Sequence, residues 1–434
     1  MGALQYPVDI LILSNGPGEI TTWVKPVVQA LRQQLGNDRS QVRISVILSP
    51  CPNASGHEAD LARSYPQVDR VQAANHFFRF LVLGQTVEGW DWRPKGVVLF
   101  LGGDQFFAVL IGKRLGYRIV TYAEWEARWH RWVDRFGAMN AKIVEQSDPR
   151  YAHKFTVVGD LMAEASAWDQ GQEKQNAIPK KKAPLIGILP GSKAAKLRLG
   201  LPFGLAIADC IQAQRPAVEF AIAVAPTLDI ASLAGFADPL QNSMIEHLGW
   251  ARGELIQPID SLPYLKTGAG VKVQLWTEFP AYEQLVQCDL CITTIGANTA
   301  ELGALAVPMI VILPTQQLDV MRAWDGIPGI LVNLPGVGTP LAQLINGLAL
   351  RRLGLLAWPN IWAKREIVPE MVGPITPEEV ANRVLQYLDQ PELLTAMGDS
   401  LRQIRGQAGA AQKLAQIVVE EIRQQMPEIC GVGI

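Results

Sequence analysis

Val8 to Ser14 is an unbroken apolar run of strand length, followed by turn-like residues over 15–19 and a helical pattern from Thr22 to Leu35. That helix is entered through Trp23, and Pro26 is tolerable only in its first turn. Val42 to Leu48 and Gly96 to Leu101 are two further strands, and Phe106 to Leu115 predicts a helix stopped at Gly116. Ile119 to Tyr122 reads as a strand, Trp125 to Phe136 as a helix, and Phe155 to Val158 as the strand that closes the series at Gly159. This alternation predicts an α/β fold with a parallel, doubly wound sheet. Ser166 to Pro184 breaks it with Asp, Gln, Pro and the run Lys180, Lys181, Lys182, so a linker is expected over 166–184. The rhythm then restarts with strands at Leu185 to Leu189, Val218 to Val224, Leu290 to Thr293 and Met309 to Leu313. Helices over Leu201 to Ala213, Pro280 to Val286 and Thr299 to Leu305 alternate with them, which predicts a second doubly wound unit. Ala231 to Gln274 is punctuated by Gly and Pro, follows neither period and receives no assignment. From Thr376 to Gln425 the pattern is helical, with a capping-box signature from Thr376 to Glu379 and Pro377 at the first helical position. The expected organisation is an N-terminal domain over 1–165, the linker, a second domain over 185–375 and a helical tail over 376–434.

The 434 residues suit two or three domains at roughly 100–200 residues each. Lys plus Arg number 39 against 41 for Asp plus Glu, a formal charge of −2, so the broad basic surface that duplex binding needs is missing and nucleic acid is not an expected partner. Charged residues reach only 18%, against about 25% in an ordinary soluble chain, and Trp occurs 12 times, which points to contact with a membrane or a lipid. That contact is expected to be peripheral: the most apolar stretch, Val97 to Ile111, is interrupted by Asp104 and Gln105 and is shorter than the roughly 20 residues of a spanning helix. Met1 to Ser14 has neither a basic leader nor a small-residue cleavage site, so a cytoplasmic chain is expected. Cys288 and Cys291 form the one CxxC among five cysteines, inside an apolar segment without a nearby His, and read as a buried strand rather than a metal site.

The strongest candidate for chemistry is Ile188 to Lys193 (Ile-Leu-Pro-Gly-Ser-Lys), a strand running into a Gly-Ser turn and a basic stretch of Lys193, Lys196 and Arg198. Small residues there let backbone N–H groups close on a phosphate, although an ordinary strand-to-helix turn with solvated lysines has the same pattern. Thr293 to Glu301 repeats the design, with Glu301 placed to accept from ribose hydroxyls or merely to complement a helix dipole. Gly16-Pro17-Gly18-Glu19 follows the first strand, but Thr21 stands where a dinucleotide fingerprint has Gly, and the second strand ends Leu48-Ser49-Pro50 without an acid for a ribose, which argues against NAD. Asp104 ends a strongly apolar strand, where partial desolvation would make it a better proton acceptor, and where a plain helix N-cap is the competing reading. Trp125, Trp129, Trp132 and Phe136 share one face of the expected helix, with Arg128, Arg131 and Arg135 on a neighbouring face. That combination suits an interfacial helix on anionic lipid, or else a core face. Glu124 and Glu126 diverge on such a helix, no DxD element accompanies them, and they are not read as a metal site.

Together these segments resemble lipid-A-disaccharide synthase and its relatives, glycosyltransferases of the GT-B class. Ile188 to Lys193 is similar to that family's LPGSR donor loop, with Pro202 in register; Thr293 to Glu301 is similar to its small-residue helix start; and Pro359 to Glu370 (Pro-Asn-Ile-Trp-Ala-Lys-Arg-Glu-Ile-Val-Pro-Glu) is close to its PN…RE.VPE element. Gly103-Asp104-Gln105-Phe106 sits where the family has PDF, and Val158-Gly159 matches a VG before the linker. The resemblance implies two Rossmann-like domains facing a cleft, with C-terminal helices. It also implies inverting, metal-independent transfer from a nucleotide sugar, a UDP-sugar, to a lipid acceptor at the inner face of a membrane, with no further cofactor. Gly191, Ser192, Lys193, Gly296, Asn298, Thr299, Glu301 and Gln316 form the implied nucleotide-sugar set, Asp104 or Glu19 the base, and Trp125, Arg128, Trp129, Arg131 and Trp132 the acceptor and membrane side. Homo-oligomer formation is left open. The departures lie mainly in the N-terminal half, where the family's GEASGD becomes Gly18-Glu-Ile-Thr-Thr-Trp23; in the donor loop the family's Arg becomes Lys193 and an acidic residue becomes Lys196. Two alternatives follow from that erosion: a nucleotide-sugar 2-epimerase, and a non-catalytic relative that binds sugar nucleotide or lipid.

Overall fold

The computed structural model describes residues 6–51, 54, 56–165, 183–314, 354–406 and 408–425. Those up to 165 and those from 406 onward form one compact unit, and 183–405 the other.

In the first unit, β1 (Val8–Ser14), β2 (Val42–Leu48), β3 (Arg70–Gln72), β4 (Gly96–Phe100), β5 (Arg118–Ala123), β6 (Arg135–Ala138) and β7 (Phe155–Val157) form a sheet in the order β3-β2-β1-β4-β5-β6-β7. Every pairing is parallel. β1, β2 and β4 lie between neighbours and under helices, which is why their apolar runs are continuous rather than alternating. Helices α1 (Lys25–Leu35), α2 (Glu58–Ser64), α3 (Phe77–Leu83) and α4 (Gln105–Leu115) connect them. Pro26 is the second residue of α1, and a π-turn over Ile20–Val24 runs directly into it, so the helical backbone is continuous across Pro26.

The second unit holds β8 (Leu185–Leu189), α5 (Ala194–Gln214), β9 (Glu219–Ala223), β10 (Gly253–Ile256), β11 (Tyr264–Thr267), β12 (Lys272–Trp276), β13 (Leu290–Thr294), α6 (Ala297–Ala304), β14 (Met309–Pro314) and β15 (Glu370–Gly373). Its strand order is β10-β11-β12-β9-β8-β13-β14-β15. The stretch that carried no assignment supplies two short helices and the antiparallel meander β10-β11-β12, which joins the parallel sheet through β9. Its strands are only four or five residues long, so the buried-exposed alternation along β11 and β12 is too brief to stand out among the Gly and Pro that punctuate the stretch. Cys288 and Cys291 are buried, with Cys291 on β13, as the core reading expected.

The helical tail expected over 376–434 is divided between the units. α7 (Pro377–Asp389), whose Thr376–Glu379 capping box is formed, packs on α5, and α8 (Pro391–Ile404) follows it. α9 (Ala410–Gln424) instead packs on α1 of the first unit, where Leu414, Ile417, Val418 and Ile422 enter the same core as Val24, Val27 and Leu31. Glu164 accepts hydrogen bonds from the N–H groups of Gly409 and Ala411 at its start, and buried Glu421 pairs with Arg118 at 2.6 Å.

The helix expected over Trp125 to Phe136 does not form. Residues 135–138 are claimed by the sheet as β6, beginning where the Asp134 N–H bonds to the Ile119 carbonyl. The buried Gln105 side chain then takes up the backbone ahead of it, donating to the Glu126 carbonyl and accepting from the Arg128 N–H, while Trp129 turns left-handed at φ 62°. Periodicity over twelve residues is outweighed by a ladder and two long-range bonds. Trp129 packs on Phe106, Trp125 and Trp132 are exposed, and Arg131 points to solvent as well. Arg128 pairs with Asp104 and Glu126, and Arg135 with Glu420 and Glu421 of α9. These side chains do not make a single aromatic and basic face.

Candidate functional site

Each sheet reverses its direction of winding once, in the first unit between β1 and β4 and in the second between β8 and β13. Such switch points, at the carboxyl ends of the strands, are where open α/β sheets bind ligands. All four of the turns singled out in the sequence fall there.

In the second unit β8 and β13 are parallel neighbours, with Leu189 beside Thr293, so the turns at Gly191 and Gly296 emerge side by side. Thr293 Oγ1 donates to the Thr294 carbonyl and Thr294 Oγ1 to the Pro190 carbonyl at 3.4 Å, tying one turn to the other. Lys193 caps the 21-residue α5, so the N-terminus of that helix opens on the same edge. The sequence expectations divide here. Gly191, Ser192, Lys193, Gly296 and Asn298 are partly accessible at the two turns. Thr299 is fully buried; its hydroxyl donates to the Gly296 carbonyl and accepts from the Trp358 N–H, so it braces the turn from behind. α6 begins at Ala297, two residues before the expected start, which places Glu301 one turn inside the helix instead of in its first turn. Gln316 lies outside the described residues.

The element resembling PN…RE.VPE has a structural use. Buried Asn360 donates to the Val368 carbonyl and to Glu370 Oε1, and its Oδ1 accepts from the N–H groups of Ile367 and Val368. Glu370 in turn accepts from the N–H groups of Leu356 and Ala357. A closed polar network of this kind holds the short helix Trp358–Ala363 to β15 with its buried polar groups satisfied.

In the first unit Gly16 lies two residues beyond β1, and the Glu19 carboxylate folds back so closely that a Cβ at Gly16 would stand 2.3 Å from its Oε2. Gly102, at φ +137°, leaves the space occupied by Asn15 Oδ1 and by the Glu19 side chain. Asp104 is the N-cap of α4, accepting from the Phe106 N–H at 2.9 Å. Its side chain is 47% exposed and lies 3.4 Å from Arg128, so the desolvation expected at the end of an apolar strand is not found: the chain has already left the sheet at Leu101. The carboxyl that does carry that character was passed over in the sequence. Glu124 directly follows β5, and burial, with the charges of Asp160 and Glu19 behind it, pushes its carboxyl up to about 8. Burial also raises Asp160, just beyond β7. No spacing rule links 19, 124 and 160, which only strand order brings together. Asn15 Oδ1 and Trp23 Nε1 nearby are buried without a hydrogen-bond partner among the described residues, and Trp23 packs edge-on to Tyr122 at 5.4 Å.

Two Rossmann-like units, each with small-residue turns at its switch point, make this a two-domain α/β protein with a GT-B type of fold. Over 242 residues, 55% of this chain and 49% of the relative, the sequence is 26% identical to lipid-A-disaccharide synthase of Anaeromyxobacter dehalogenans. It is 23% identical over 245 residues, 55% of this chain and 50% of the relative, to lipid-A-disaccharide synthase of Myxococcus xanthus. The chain thus spans about half the length of the curated relatives it matches. The fold is similar to a crystal structure of a putative UDP-N-acetylglucosamine 2-epimerase from Listeria monocytogenes, with a TM-score of 0.52 at 13% identity over 98% of both chains. No family model matches the sequence.

Proposed function

We propose that this protein is an inverting glycosyltransferase that moves a sugar from a UDP-sugar to a lipidic acceptor without a divalent metal. The observation that carries the reading is the pair of adjoining turns at the ends of β8 and β13, with the N-terminus of α5 and Lys193 beside them. The leaving diphosphate is held there by the N–H groups of Gly191 and Ser192 and by Lys193, which offset charge as it develops. The acceptor hydroxyl belongs to the first unit. Of the two carboxylates expected for this role, Glu19 lies against Gly16 and Gly102 at the switch point, whereas Asp104 caps α4 and pairs with Arg128. Glu124, coupled to Glu19, adds a second carboxyl able to hold a proton near neutral pH. The unpaired Asn15 Oδ1 and Trp23 Nε1 supply an acceptor and a donor for a hydroxylated ligand.

For a lipid acceptor the first unit must reach a lipid surface. Phe78, Val82 and Leu83 on α3 and Val87 after it are 57–68% exposed, and Trp125 is 59% exposed. No helix among the described residues is long and apolar enough to cross a membrane. Contact through these side chains would be peripheral.

Calorimetry with UDP, GDP and ADP, followed by sugar transfer to a lipid extract with and without EDTA, tests the reading. UDP is expected to bind, and transfer to survive chelation. Transfer lost to EDTA and restored by Mg²⁺ would remove the metal-free mechanism. Epimerised UDP-sugar without an acceptor would turn the assignment to a 2-epimerase, and binding without any turnover to a non-catalytic relative.

A further inference from the structure

A cation in the first turn of a helix works against the helix dipole, and the third helical position is where a capping acid is usual. Lys196 occupies that position in α5, and no acidic residue stands in the turn with it. Violations of local preference of this kind collect where function compensates for them.

The side chain of Lys196 runs between the two turns. Its Nζ donates to the Ile295 carbonyl at 2.5 Å, reaching from the first turn of α5 to the end of β13. On the way its aliphatic carbons cross Gly191, where a Cβ would stand 3.4 Å from Lys196 Cδ, and its ammonium lies 3.3 Å from where a Cβ at Gly296 would be. Gly191 has φ +96° and Gly296 φ +146°, conformations that L side chains rarely adopt. Both turns thus leave room for one lysine, which adds a tie to those of the strand pairing and sets a positive charge between two backbones suited to anions.

We propose that Lys196 is a positioning and specificity-determining residue, which clamps the turns at Gly191 and Gly296 into one cradle and makes that cradle prefer a diphosphate to a monophosphate. One phosphoryl group faces the turn at Gly191 and the other the turn at Gly296, with the ammonium between them. This rests on the donor-site reading above and adds to it the residue that measures the length of the phosphate chain.

The test uses the full chain, with inorganic pyrophosphate and orthophosphate as probes, so that no assumption about the base or the sugar enters. Titration calorimetry at low salt is expected to show pyrophosphate bound more tightly by wild type. Lys196→Met and Lys196→Gln should each weaken pyrophosphate by about tenfold, the scale of one charge-assisted hydrogen bond, with little change for orthophosphate. Lys196→Arg should stay within about threefold of wild type because the charge is kept. Lys196→Gln keeps a neutral donor on a chain one bond shorter and Lys196→Met has that length without a donor, so together they bracket the loss of the charge, and unchanged melting of the unliganded variants excludes misfolding. Equal binding of the two anions by wild type, or a pyrophosphate preference retained in Lys196→Gln, overturns the proposal. A protein that keeps the preference but binds no nucleoside diphosphate and transfers no sugar would leave the clamp standing and remove the transferase reading.

Discussion

Glu124 shows how much a single side chain's meaning depends on what surrounds it. In the sequence it is one of two acids flanking a tryptophan; in the fold it is partly buried beside Glu19 and Asp160, and its proton is retained to about pH 8. The sign of the consequence follows from linkage. The unfolded chain loses this proton near its ordinary value of 4.5 while the folded chain keeps it to about 8, so unfolding releases a proton across that window and stability falls as pH rises through it. Below the window the contribution is fully present, and above it is gone. Glu124→Gln has no proton to release, so the wild type should lose about 2 kcal/mol relative to the variant between about pH 5 and about pH 8, allowing for screening at its accessible side. Urea unfolding of both proteins at several pH values measures this directly, and parallel profiles would mean that Glu124 titrates as an ordinary carboxylate. Its neighbour Asp104 was legible in the sequence as an N-cap, because the Gly-Gly-Asp string ahead of a helical pattern carries that signal, whereas nothing local to Glu124 signals burial.

At the scale of elements, the long apolar strands and the helices with clear stops were legible. β1 and β2 match their expected limits because each is a buried run bounded by polar turns. Short strands and segments whose partners are far away were not, and the stretch from Trp125 to Phe136 is the clearest case: its helical spacing is real, but the bonds that decide its shape come from Gln105 and β5. The membrane prediction moves with it, from that stretch to the outer face of α3. Replacing Phe78, Val82 and Leu83 together by Ser should reduce co-sedimentation with anionic vesicles at least about fivefold without loss of fold, since these side chains already face solvent and each apolar residue withdrawn from lipid costs about 1–2 kcal/mol. The Arg128, Arg131 and Arg135 replacements that the helical reading would have suggested are a poorer probe, because Arg135 holds α9 through Glu420 and Glu421. Vesicle binding that is the same for wild type and the α3 variant would take the lipid surface away from this helix.

The whole molecule is organised by a chain that returns to its beginning. After two helices on the second unit, α9 lies against α1, β4 and β5 and completes the first unit's core. A chain ended after Arg405 should therefore lose cooperative unfolding of the first unit while the second unit, complete without those residues, melts as before. Differential scanning calorimetry resolves the two transitions, and an unaltered thermogram for the shortened chain would show that α9 is dispensable. Leu414, Ile417, Val418 and Ile422 carry the argument, since exposing several fully buried aliphatic side chains costs roughly 1.5–3 kcal/mol each.

The sequence by itself determined that this is a two-unit α/β chain and that small-residue turns follow β8 and β13, because apolar runs, stops and small-residue turns are local and local physics is enough to read them. Only the tertiary structure decided which unit the last helix completes, that Thr299 is buried and braces its turn, that Asn360 and Glu370 lock a helix to a strand, that Glu124 is partly buried beside Asp160 and Glu19, and that Lys196 reaches the end of β13. Each of those depends on groups separated by tens to hundreds of residues, whose proximity is set by strand order and burial and leaves no period or spacing in the chain.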